Sequence, residues 1–171
     1  MNFYAGSFSP PTYGHLHIVE KAMKRYDFGH LIIVCSSGNP NKENMFTEEQ
    51  SREMWKVYLR KKPSLAKVRV ITYKKAIQET MKISSIVLVR GLRGKDDLEQ
   101  EMETVMLNKT KRGIDAFYLI FADDEYTDFS STKARDAFFA DDYDTLTKLV
   151  DQKVAYLMKI YHNKNKKGSR K

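Results

Sequence analysis

Short apolar runs alternate with amphipathic stretches along this chain. Phe3–Ala5, Leu31–Cys35, Val68–Thr72, Ile86–Val89 and Phe117–Phe121 are apolar at successive positions. Such runs suit strands buried on both faces of a parallel sheet covered by helices. Between them the spacing becomes helical. Leu16, Val19, Met23 and Tyr26 follow His15 at that period. Thr47-Glu-Glu-Gln50 has the form of a capping box and opens a stretch carrying Met54, Val57 and Tyr58. The pattern predicts a long helix from Asp96 to Lys109 with Leu98, Met102, Val105 and Met106 inward. It predicts another helix from Ser130 and a closing amphipathic helix from Tyr143 to Tyr161. Strands alternating with helices define an α/β class: a Rossmann-like, doubly wound, parallel five-stranded sheet in a single domain. That domain spans residues 1–161, and residues 162–171 read as a basic, disordered tail.

Composition narrows the function. At 42% hydrophobic and 30% charged residues, the 171-residue chain has the make-up of a globular protein with a real core. No apolar run is long enough to cross a membrane, so no membrane partner is expected. The first residues lack a basic region followed by an apolar stretch, so no secretory leader is visible. One cysteine, Cys35, excludes an internal disulfide and reads as a buried, inert thiol. These features point to the cytoplasm. The net charge is +8, but Lys164, Lys166, Lys167, Arg170 and Lys171 leave only +3 of it to the body. The basic tail is read as solubilising rather than as an RNA-contacting arm, and nucleic acid is not an expected partner.

Chemistry collects where predicted strands end. Phe3–Ala5 runs into Gly6-Ser7-Phe8, and Thr12-Tyr13-Gly14-His15 opens a helix. Asn39-Pro40-Asn41-Lys42 follows the second strand. Arg90-Gly91-Leu92-Arg93 follows the fourth, and Ser130-Ser131-Thr132-Lys133-Ala134-Arg135 opens a helix after the fifth. In open α/β sheets ligands bind beyond the carboxyl ends of strands, and helix N-termini attract anions. Each cluster alone is an ordinary cap or turn; four at successive strand ends point to a phosphorylated ligand. No Cys, His and carboxylate group has zinc spacing. Asp123-Asp124-Glu125 reads as a solvated turn, and His17, His30 and His162 carry no assigned chemistry.

The series Gly-Ser-Phe-x-Pro-x-Thr-x-Gly-His, Asn-Pro-x-Lys, Val-Arg-Gly-Leu-Arg and Ser-Ser-Thr resembles the HxGH nucleotidyltransferases. Within them it most resembles the phosphopantetheine adenylyltransferases. Thr12 stands at the first histidine position of the motif. Asp97-x-Glu99-x-Glu101 and Asn108 follow Arg93, and Met45-Phe46-Thr47-x-Glu49 follows Lys42, as in that branch. The likeness covers roughly residues 1–155. The chain departs from it at Ser9, where the branch has Asp, and at the basic segment Tyr73-Lys74-Lys75. Its Ser-Ser-Thr-x-x-Arg run is closer to the nicotinamide mononucleotide adenylyltransferases.

The resemblance implies adenylyl transfer from ATP to a phosphorylated small molecule, here 4′-phosphopantetheine, giving dephospho-coenzyme A and pyrophosphate. It implies His15, Lys42 and Arg93 as catalytic residues acting by position and charge, because the acceptor phosphate is already ionised. Gly6, Ser7, Phe8, His15, Gly91, Arg93, Asp97, Glu101, Ser130, Ser131 and Thr132 would meet the nucleotide. Among them Gly91 and Asp97 would face the ribose, and Glu101 would support the phosphate-binding arginine. Ser7, Lys42, Arg90, Met106 and Asn108 would meet the acceptor, with Thr72–Ala76 beside its uncharged arm. Mg²⁺ would ride on the ATP phosphates, with no protein metal site. A homo-oligomer, plausibly a hexamer, is implied too. Three alternatives stay open at this point. They are a nicotinamide mononucleotide adenylyltransferase, a glycerol-phosphate-type cytidylyltransferase and a non-catalytic nucleotide- or RNA-binding protein.

Overall fold

The computed structural model describes residues 1–26, 28–37, 44–80, 85–114 and 116–168. Five strands form one sheet: β1 (Asn2–Gly6), β2 (Leu31–Cys35), β3 (Val68–Thr72), β4 (Val87–Leu92) and β5 (Ala116–Phe121). Their order is β3-β2-β1-β4-β5, and every neighbouring pair is parallel. The five apolar runs fall on these five strands, but β4 runs on to Leu92, so Arg90, Gly91 and Leu92, expected to follow the strand, pair within it with Leu119, Ile120 and Phe121. Strand β2 is buried at all five positions, as a strand enclosed by two neighbours and two layers should be.

Among the described residues, seven α-helices flank the sheet: α1 (Tyr13–Arg25), α2 (Glu48–Arg60), α3 (Tyr73–Thr80), α4 (Lys95–Arg112), α5 (Ser131–Phe139), α6 (Tyr143–Leu149) and α7 (Gln152–Gly168). Tyr4, Ile33, Val89 and Ile120 point to one face, into a core with Val19 of α1, Trp55 of α2, Ala134 of α5 and Met158 of α7. Phe3, Ile32, Val34 and Ile71 point to the other, with Ala76 of α3. The capping box read at Thr47 forms: Thr47 Oγ1 accepts from Gln50 N at 3.2 Å, and Gln50 Oε1 accepts from Thr47 N at 3.0 Å.

Three further expectations need correction. The closing helix is two helices, because buried Asp151 interrupts it and accepts from Lys153 N at 2.9 Å as the cap of α7. The segment 162–168, expected to lack structure, continues α7. Helix α4 forms, but Met102 and Met106 are 45% and 54% exposed. Its inner side instead carries Glu101, which meets Arg90 on β4, and buried Asn108; that register turns the methionines outward. Helix α3, in the basic segment after β3, was not legible as a helix. It is eight residues long, with Ala76 as its buried residue.

Candidate active site

Strand order reverses beside β1: β2 lies on one side and β4 on the other. Successive connections leave to opposite sides there and open a crevice at the carboxyl ends. A cavity of about 1010 Å³ fills it. That is enough for two small-molecule substrates.

His15 is fixed from below. Thr12, fully buried, caps α1, and its backbone N–H donates to His15 Nδ1 at 3.0 Å. A nitrogen that accepts from a backbone amide carries no proton, so the neutral ring carries its proton on Nε2. Phe8 packs edge-on against the ring, with centroids 5.2 Å apart. Phe8 itself has φ of +45°, a strained conformation for a bulky residue. Contacts with Tyr4, Trp55 and His15 hold it there. Gly14 allows the start of α1 to approach the segment before α5: a Cβ there would lie 2.7 Å from the Phe129 carbonyl oxygen.

Two arginines leave β4 with their own carboxylates. Arg90 donates to both oxygens of Glu101, at 2.5 and 2.6 Å, and to the Ala5 carbonyl at 2.8 Å. Arg93 donates through Nε and Nη2 to Asp97, each at 2.8 Å, and its backbone N–H reaches the same carboxylate at 2.9 Å. Gly91 sits between them, where a Cβ would lie 2.8 Å from Ile18 Cγ1. Glu101, implied to support the phosphate-binding arginine, pairs with Arg90 and not with the catalytic candidate Arg93. Asp97, implied at the ribose, has both oxygens on Arg93.

Ser130 caps α5 by accepting from Lys133 N at 3.1 Å, and Ser131 Oγ donates to the Pro10 carbonyl at 2.8 Å. Both hydroxyls are therefore engaged in building the site. The first-turn N–H groups of Ser131 and Thr132 have no intrahelical acceptor, and both residues line the cavity. One turn on, Arg135 donates to the Ser9 carbonyl at 2.7 Å. Buried Ser9 also accepts from Phe46 N at 3.1 Å, so the residue that departs from the family pattern ties the β1–α1 loop to the start of α2.

The cavity therefore gathers Gly6, Ser7, Phe8, His15, Arg90, Gly91, Arg93, Asp97, Glu101, Ser130, Ser131 and Thr132. Met106, Asn108 and Thr72–Ala76 do not line it, and Lys74 and Lys75 are exposed on α3. Lys42, with the rest of Asn39–Lys42, lies outside the described residues. Sequence reasoning placed Arg135 in the Ser130–Arg135 cluster without giving it a role, and missed Tyr126, Phe129 and three residues of α7. Helical spacing from Ser131 could have given Arg135 its place in the site; nothing local marks the others.

A helix N-terminus, His15 and two carboxylate-paired arginines surround one switch-point crevice, an arrangement suited to a phosphorylated ligand. The comparisons agree: the cytidylyltransferase-like family matches residues 3–137, and the chain belongs to it. It is 31% identical over 134 residues to phosphopantetheine adenylyltransferase of a Roseiflexus species, covering 78% of this chain and 80% of that one. The same enzyme of Thermotoga neapolitana is 30% identical over 169 residues, covering 98% of both chains. Within the family the chain therefore groups with the phosphopantetheine adenylyltransferases. Plasmodium falciparum nicotinic acid mononucleotide adenylyltransferase, solved with NaAD, superposes with a TM-score of 0.69 at 16% identity over 94% of each chain. That likeness concerns the fold.

Proposed function

We propose that the protein transfers the adenylyl group of ATP to 4′-phosphopantetheine, giving dephospho-coenzyme A and pyrophosphate. The observation that carries this reading is the convergence of His15, Arg93 and the α5 N-terminus on one cavity. Similarity to phosphopantetheine adenylyltransferases over most of the chain supports the acceptor. The exposure of Lys74 and Lys75 supports it too, since neither adds charge to a channel for an uncharged arm.

A phosphate oxygen of the acceptor attacks the α-phosphorus, the bond to the bridging α–β oxygen breaks, and pyrophosphate leaves. No protein nucleophile is needed. His15 donates from Nε2 to the α-phosphate as charge builds on its equatorial oxygens. Arg93, oriented by Asp97, offers its remaining N–H groups to the β-phosphate. The α5 terminus takes the outer phosphates. Lys42 neutralises the acceptor and α-phosphates as a point charge. The substrate is ATP with Mg²⁺ on its phosphates. Among the described residues, the carboxylates that line the cavity, Asp97 and Glu101, hold arginines, which suits an ion carried by phosphate oxygens and water.

Cytoplasmic location and self-association belong to this reading. No helix among the described residues is long and apolar enough to cross a membrane. Exposed Met102, Met106 and Leu107 on α4 offer an apolar surface to a second copy. The direct test is pyrophosphate release with ATP and CTP against phosphopantetheine, nicotinamide mononucleotide and glycerol 3-phosphate. Turnover should be greatest with ATP and phosphopantetheine, and at least tenfold lower with nicotinamide mononucleotide, about 1.4 kcal/mol of transition-state preference. Preference for another acceptor or for CTP overturns the assignment.

A further inference from the structure

The end of α7 reaches the active-site cavity. His162, Asn165 and Lys166 all line it, from a segment whose composition alone reads as a solvated tail. Spacings of three and four residues put them on one side of the helix. Two anchors fix that side. His162 packs edge-on against Phe138 and Phe139 at the end of α5, with centroids 5.5 and 5.4 Å away. Asn165 Nδ2 donates to the Met45 carbonyl at 3.1 Å, and its Oδ1 accepts from Gln50 Nε2 at 3.0 Å. The helix end is therefore tied to both α5 and the segment leading into α2.

Charge gives the anchoring a purpose. Among the described residues that line the cavity, the Lys and Arg cations are Arg90, Arg93, Arg135 and Lys166. Arg90 and Arg93 are each held by a carboxylate. Among the described residues, Arg135 and Lys166 form no ion pair. A polyphosphate is attracted by the charge left over after such pairing, and these two supply it. His162 does not add to it: burial, with Lys166 one turn on, holds its imidazole below the ordinary range.

We propose that the end of α7 is a wall of the nucleotidyl-transfer site, where Lys166 gives a cation to substrate phosphate oxygens and Asn165 is its positioning residue. This rests on the nucleotidyl-transfer reading above. The phosphates could be those of ATP or that of the acceptor, and separate titrations distinguish them.

The test compares wild type with Lys166→Ala, Lys166→Arg, Asn165→Ala and Lys167→Ala, the last an exposed neighbour outside the cavity. Steady-state kinetics vary each substrate in turn, and calorimetry measures ATP binding without turnover. Lys166→Ala should raise KM about tenfold for one substrate, with kcat within about twofold. A rise for ATP alone identifies the triphosphate; a rise for the acceptor alone identifies its phosphate. Lys166→Arg should restore most of the loss, Asn165→Ala should move the same KM less, and Lys167→Ala should leave it unchanged. Unchanged KM values in Lys166→Ala overturn the proposal, as do equal effects of Lys166→Ala and Lys167→Ala. If wild type turns over no acceptor, the functional reading fails separately; weaker ATP binding by Lys166→Ala then sustains the wall, and equal binding overturns it.

Discussion

On the face covered by α1, α2, α5, α6 and α7, Met54, Trp55, Val154 and Met158 are wholly excluded from solvent. On the face covered by α3 and α4, Ile77, Met102, Met106, Leu107 and Phe121 are each between 44% and 54% exposed. The first face has a core closed to solvent, and its covering helices expose Phe139, Tyr143 and Tyr156. The second carries less apolar cover and relies on a polar contact, Arg90 with Glu101, to seat α4 on β4. The groups that the transfer chemistry asks to be immobile, His15 and the α5 terminus, belong to the closed face. The arginine pairs stand at the edge of the open one. The histidine is thus held by apolar packing, and the arginines by carboxylates.

The largest expected effect falls on the closed face. His15→Ala should lower kcat by on the order of 10²–10⁴-fold with a smaller change in ATP affinity, because a donor to the transition state is lost. Single-turnover kinetics checks this, and near-wild-type turnover removes His15 from the mechanism. Next, Trp55→Ala should cost about 3–5 kcal/mol in denaturant unfolding, since the indole is fully buried against Phe8 and Tyr58. A cost below about 1 kcal/mol would mean that this face is not the tightly packed one. On the open face, Glu101→Gln should cost about 1–3 kcal/mol, because it removes the charge facing a half-buried guanidinium. It should also raise KM for the acceptor as Arg90 reorients, and the neutral isostere failing to change either value would make this pair ornamental. Arg93→Lys should weaken ATP binding in calorimetry, because a point charge cannot serve Asp97 and a phosphate together. The smallest effect is Met106→Lys, expected within about 0.5 kcal/mol of wild type in monomer stability. By sedimentation it should shift any oligomer toward smaller species; an unchanged distribution places the subunit contact elsewhere.

Much of this was legible in the chain. The strands announced themselves because each is a short apolar run between polar punctuation. Gly14 and His15 did so because a turn, a cap and an imidazole coincide there. What was hidden depends on tertiary register. The outward turn of Met102 and Met106 follows from Arg90 meeting Glu101, and no helical periodicity contains β4. Asp151 looks like any surface acid until Lys61 and Tyr58 enclose it. Lys166 sits in a run of lysines that composition alone reads as solvent-facing. Its place at the cavity is set by Asn165 meeting Met45, 120 positions away.

The strand order also shapes how the molecule comes into being on the ribosome. β1 is central, yet its second neighbour is β4, and Asn2 pairs with Val87. A nascent chain that has emerged only as far as β3 carries β1 with one unpaired edge, and that edge is the middle of the future sheet. Thr12 must likewise wait for Phe129, and Pro10 for Ser131. Contacts of such separation slow folding, because loop closure precedes their reward. The open edge of β1 is the point at which a partly made chain is most exposed to pairing with another.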